Sequence, residues 1–213
     1  MKQLSEINHW KESINQVMNC DCLELMRMMP DKCVDLCLTD PPYQLPKRSG
    51  QGAGKLANRK IQEMHKRGWD IAPTKELFNE IFRVSKNQII WGGNYFDLPP
   101  TRGIAAWDKK QPWENFSAFE LAWTSFDTVA KMFRMRTMDD EAKKEHPTQK
   151  PLELGRWCIE NYAKEAKLIF DPFGGSGTFA RAAKDAGIDF ITCDKEVDYC
   201  EIMEERLKQE TLF

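Results

Sequence analysis

Leu168-Ile169-Phe170-Asp171-Pro172-Phe173-Gly174-Gly175-Ser176-Gly177-Thr178 reads as an apolar strand that breaks into a glycine-rich turn and opens a helix. The helix predicted from Thr178 to Asp185 closes at Gly187, and Phe190-Ile191-Thr192-Cys193 forms the next strand, ending at Asp194. A charged helix follows, to about Lys208. Strands alternating with helices imply an α/β fold, a mostly parallel sheet with helices on both faces. Ligands bind such sheets beyond the carboxyl ends of the strands, where the strand order reverses.

Upstream, Gln16–Cys20 and Val34–Leu38 read as strands, the second ending at Thr39-Asp40. Between them a helix over Leu23–Met29 stops at Pro30. Thr74 is a candidate N-cap for a helix to about Val84, and Gln88–Trp91 is a buried strand broken at Gly92-Gly93. Ile104–Trp107, Phe119–Trp123 and Val129–Phe133 follow, and the short gap between the last two predicts a hairpin. Pro151 suits the first residue of a helix to Tyr162. No repeat or linker divides the chain, so 1–213 reads as one domain, with a basic insertion at 44–73 and loops within 109–150 as candidate recognition elements.

The composition, 41% hydrophobic and 30% charged, is that of a folded soluble chain. No apolar run is long enough for a membrane span, and Met1-Lys2-Gln3-Leu4-Ser5-Glu6 has no signal-peptide core. Seven scattered cysteines fit a reducing cytosol, so a cytoplasmic protein is expected. Cys20, Cys22, Cys33 and Cys37 read as buried thiols rather than a zinc site, and no metal is expected. The net charge of −2 gives no sign of a polyanionic partner, yet it conceals an asymmetry. Lys47, Arg48, Lys55, Arg59, Lys60, Lys66 and Arg67 stand against Glu63 alone between Gln44 and Arg67, a segment of +6. Such a cluster directly after an acidic strand end suits nucleic-acid phosphates, although a solvated loop has the same composition. Lys109, Lys110 and Trp113 are a weaker second candidate.

Glycines let the turn at 174–177 approach a ligand closely, and the free N–H groups of the following helix favour an anionic group. Gly175-x-Gly177-x-x-Ala180, with Asp194 17 residues after Gly177, also satisfies a dinucleotide pattern. Asp171 argues otherwise, because a carboxylate ahead of the glycines crowds a phosphate and suits an ammonium. An amino acid joined to a ribose uses Asp171, the glycine backbone and Asp194 together, and S-adenosylmethionine is such a ligand.

Thr39-Asp40-Pro41-Pro42-Tyr43 closes an apolar strand with two prolines, neither of which can donate a ladder hydrogen bond. Rigid prolines fix the Asp40 carboxylate and the Pro41 carbonyl as two acceptors, beside the flat face of Tyr43. That set suits the exocyclic amine of a planar base. Hydrogen bonds to its two N–H groups localise the nitrogen lone pair and aim it at an electrophilic methyl, so positioning and electrostatics carry the rate.

With these motifs the chain resembles the amino-group DNA methyltransferases, and its motif order, catalytic tetrapeptide first and cofactor turn last, resembles their permuted β class of bacterial and phage modification enzymes. His146-Pro147-Thr148-Gln149-Lys150-Pro151 and the segment around Asn19-Cys20-Asp21 also match, and Trp91–Phe96 matches loosely. The resemblance implies a Rossmann-like fold using S-adenosylmethionine. It assigns Asp40, Pro41, Pro42 and Tyr43 to the target base, and Asp171, Phe173, Gly175, Gly177 and Thr178 to the methionine moiety. Asp194 falls to the ribose, Asp21 to the adenine, and Thr148 and Lys150 to the methionine carboxylate. It further implies DNA as partner with the base out of the stack, a homodimer as a property of the class, and N6 of adenine as the acceptor, since Asp at position 40 is typical of N6 enzymes. Cytosine N4 or RNA methylation, a non-catalytic nucleic-acid-binding relative and a nicotinamide oxidoreductase are the competing readings.

Overall fold

The computed structural model describes residues 1–43, 72–111, 117–136 and 149–209. Within them lie the strands β1 (Lys2–Gln3), β2 (Val17–Asn19), β3 (Val34–Thr39), β4 (Ser85–Trp91), β5 (Ile104–Asp108), β6 (Phe119–Thr124), β7 (Lys131–Arg134), β8 (Leu168–Asp171) and β9 (Asp189–Asp194). The helices are α1 (Cys22–Met28), α2 (Lys75–Val84), α3 (Leu152–Tyr162), α4 (Thr178–Asp185) and α5 (Val197–Lys208). The strands form one sheet in the order β1-β2-β9-β8-β3-β4-β6-β5-β7. From β1 to β4 all neighbours are parallel; β6 runs antiparallel to both β4 and β5, and β7 is parallel to β5.

Alternation along each strand sends side chains to two cores. Leu36 and Leu38 of β3 join Ile89 and Trp91 of β4 under α3, α4 and α5, packed by Leu154, Cys158, Phe179 and Met203. Cys37, Ile90 and Phe170 face the other way, against Leu25 and Met26 of α1 and Phe78, Ile81 and Val84 of α2. Each fully buried Leu, Ile or Phe contributes about 1.5–3 kcal/mol. The helix ends follow local chemistry. The Asp21 carboxylate accepts from the Leu23 N–H at 2.8 Å, and the Thr74 hydroxyl from the Leu77 N–H at 3.3 Å.

The sheet has the mostly parallel, helix-covered Rossmann-like form expected from the sequence. The expected β6–β7 hairpin is not formed. Both edges of β6 are taken, by β4 and β5, so β7 crosses to the free edge of β5, with Trp107 opposite Phe133. The Trp107 indole fixes that placement by donating to the Met135 carbonyl at 2.9 Å. Pro151 precedes α3 by one residue instead of opening it. Among the described residues no helix is long and apolar enough to cross a membrane, and no His/Cys/Asp/Glu group is arranged to hold a metal.

Candidate active site

The chain leaves β8 toward β9 on one side and β3 toward β4 on the other, so the strand order reverses between β8 and β3. Asp171 ends β8, and Asp40 directly follows β3. Thr39 links the two strand ends, its hydroxyl donating to Asp171 Oδ1 at 2.8 Å. Asp194 at the end of β9 and Asp21 after β2 continue a row of acids along the same carboxyl edge, with Asn19 in register with Asp194.

The glycine-rich turn is built around these acids. Gly175 and Gly177 have φ of 51° and 74°, in the left-handed region that favours glycine. A Cβ on Gly175 would meet nothing closer than the Phe173 carbonyl at 3.9 Å, so the turn presents open backbone to the space above it. The Gly175 N–H donates to Asp194 Oδ2 at 3.0 Å, and the Glu196 N–H to Asp194 Oδ1 at 2.9 Å. From behind, Arg206 of α5 donates to the Ser176 carbonyl at 3.2 Å and to the Thr178 hydroxyl at 3.0 Å. The Thr178 hydroxyl in turn donates to the Lys150 carbonyl at 3.0 Å, so its side chain is committed inside the protein. Asp171 is 2% exposed, and burial pushes its carboxyl up to about 7, against bonds from Thr39 and the Phe173 N–H. Asp21 differs. Partial burial raises its carboxyl, but the Lys195 ammonium at 2.7 Å and the Leu23 N–H hold it below the usual range.

Asp40 lies in a denser cluster. Tyr43 donates its hydroxyl to Asp40 Oδ1, and the Lys150 ammonium sits on Asp40 Oδ2. Lys150 is 6% exposed and also lies 3.0 Å from Glu120 Oε2 of β6, whose other oxygen pairs with Lys109 at the foot of β5. Burial pushes Asp40 up despite Lys150. Glu120 goes the other way: burial raises it, but Lys150 and Lys109 together bring it to about 2. The Tyr43 ring stacks on Tyr95 at 4.9 Å between centroids and occupies the space over Gly92. A Cβ there would come within 2.0 Å of the ring, and Gly92 has φ of 68°.

The structure thus gathers Asp40, Pro41, Pro42, Tyr43, Asp171, Phe173, Gly175, Gly177, Thr178, Asp194, Asp21 and Lys150 along one edge of the sheet. Thr148 and the basic residues Lys47, Arg48, Lys55, Arg59, Lys60, Lys66 and Arg67 lie outside the described residues. Lys150 reaches the glycine-rich turn through its carbonyl, while its ammonium belongs to Asp40 and Glu120. Thr39, Gly92, Glu120 and Arg206 have no site role assigned from the sequence. Only the position of Thr39 before Asp40 and the glycine pair after a buried strand hint at two of them.

The family model for a DNA methylase that acts at N6 or N4 matches residues 88–205. The Type II methyltransferase M.HinfI of Haemophilus influenzae is 26% identical, over 93% of this chain and 71% of that protein. Among solved structures, the complex of M1.HpyAVI with S-adenosylmethionine superposes with a TM-score of 0.58 at 19% identity, covering 91% of this chain and 99% of that one. The cytosine-N4-specific PvuII DNA methyltransferase gives 0.62 at 15% identity, covering 92% and 87%. The family match spans more than half of the chain and takes in the glycine-rich turn, β8, β9 and Lys150: this protein belongs to the N6/N4 DNA methylase family.

Proposed function

We propose that this DNA methyltransferase transfers a methyl group to the exocyclic N6 amine of adenine in DNA. The observation that carries the reading is the pair of strand ends at the switch point, Asp40 and Asp171, held side by side by Thr39. S-adenosylmethionine, when bound, supplies the electrophilic methyl. The residues present suit it: Asp171 would take its ammonium, the open backbone at Gly175 would leave room for the methionine chain, Asp194 would accept from the ribose hydroxyls and Asp21 would serve the adenine side. Across the switch point Asp40 and the Pro41 carbonyl accept from the target amine, and Tyr43 offers a stacking face once its hydroxyl leaves Asp40. A base inside a duplex cannot reach this corner, so it must leave the stack. Contacts to the flanking DNA fall to the basic segment 44–67, with a second copy of the chain as a further source.

Asp40 favours N6 over N4. The test is to incubate the protein with S-adenosylmethionine and unmethylated duplex DNA, digest to nucleosides and analyse them by mass spectrometry. N6-methyladenine is expected. N4-methylcytosine overturns the choice of base, and no methylation of duplex DNA, single-stranded DNA or RNA overturns the activity.

A further inference from the structure

We propose that Glu120 is a positioning residue for methyl transfer: its carboxylate holds and offsets the Lys150 ammonium, so that Asp40 keeps its acceptor strength toward the substrate amine. The inference rests on the methyltransferase reading above and assigns a role to a residue that touches neither substrate nor cofactor.

Four elements converge here. Asp40 follows β3, Glu120 lies on β6, Lys109 follows β5, and Lys150 precedes α3. The contacts form a chain, Asp40 to Lys150 to Glu120 to Lys109, of two carboxylates and two ammoniums. Lys150 is almost fully buried, and Glu120 Oε2, out of contact with solvent, faces it at 3.0 Å without an aligned hydrogen bond. That oxygen acts on Lys150 by charge.

The chemistry makes the balance matter. When the amine nitrogen gives its lone pair to the methyl carbon, the carbon–sulfur bond breaks with its electrons left on sulfur. The nitrogen carries positive charge until one of its protons leaves through Asp40 to water. A lone ammonium on Asp40 opposes that charge, and in a poorly solvated corner the opposition is barely screened. With Glu120 ionised the four groups sum to zero. Neutralising Glu120 leaves Asp40 facing one uncompensated positive charge.

Charge balance predicts a pattern that a packing role does not. In single-turnover assays with saturating cofactor and DNA, Glu120→Gln should slow methyl transfer about 10- to 100-fold. Its affinity for S-adenosylmethionine, measured by calorimetry, should stay unchanged. Lys109→Met added to Glu120→Gln restores neutrality and should recover most of the lost rate. If Glu120→Gln does not fold, Lys109→Met alone serves. It leaves the corner one charge more negative and should raise the rate, so a fall contradicts the proposal. A Glu120→Gln rate equal to that of the unsubstituted protein, or a double variant no faster than Glu120→Gln, also overturns it. Failure of the unsubstituted protein to methylate any nucleic acid overturns instead the methyltransferase reading, and this inference with it.

Discussion

Asp171 gives up its proton less readily than an exposed aspartate, and at neutral pH it is only partly ionised. Burial pushes its carboxyl from the ordinary 3.8 up to about 7, and Thr39 and the Phe173 N–H only partly oppose the shift. Between those two values the folded chain binds a proton that the unfolded chain does not, so this group's contribution to stability falls as pH rises through that window. A cationic ligand reverses the preference, because it needs the carboxylate. The affinity for S-adenosylmethionine should therefore rise about tenfold per pH unit below 7 and level off above it. Calorimetry in buffers of different ionisation enthalpy should show proton release on binding near pH 6; an affinity independent of pH between 5 and 8 contradicts the assignment of Asp171. At this scale the sequence was legible where the chemistry is local. Asp40 and Asp171 stand beside the prolines and glycines that mark their turns. Thr39 and Glu120 act on residues far along the chain, 132 residues away in the case of Thr39 and Asp171, and no local pattern announces such partners.

The glycine-rich turn shows how an element is held by another that the sequence leaves unconnected to it. Its strand and helix follow from hydrophobic runs and from glycines, and α4 begins and ends where those runs predict, at Thr178 and Asp185. Its rear support is Arg206, on the helix that the sequence marks only as charged. Arg206→Ala removes the donors to Ser176 and Thr178 while leaving the acids of the site in place. Bonds to a charged group contribute about 1.5–3 kcal/mol, so cofactor affinity should fall about 10- to 100-fold, as read by calorimetry. Unchanged affinity would show that the turn keeps its shape without α5. The misplaced hairpin belongs to this scale too. The short gap before β7 satisfied a turn rule, but which strand edge is free depends on the pairing of β4 with β6, and that is decided by the whole sheet.

Across the molecule, the proposed function divides at the reversal of strand order. The β8–β9 side, with α4 and α5 behind it, carries the groups suited to the cofactor, while β3, β4, β6 and the segment before α3 carry those suited to the base. The alternating elements made this sheet readable from the sequence, and the two acidic strand ends marked the place where its order reverses. The near-zero net charge hid the basic segment that the DNA reading needs, and that segment lies outside the described residues. The division also makes the central claim testable by separating binding from transfer. Asp40→Ala removes the acceptor proposed for the target amine but leaves Asp171, Asp194 and the glycine-rich turn intact, and Lys150 keeps Glu120 as its partner. Alanine is the decisive replacement, because asparagine retains an acceptor oxygen. Measured together on one preparation, the variant should bind S-adenosylmethionine as tightly as the unsubstituted protein and transfer methyl to DNA about 10²- to 10³-fold more slowly. Near-normal transfer with intact cofactor binding would contradict the account.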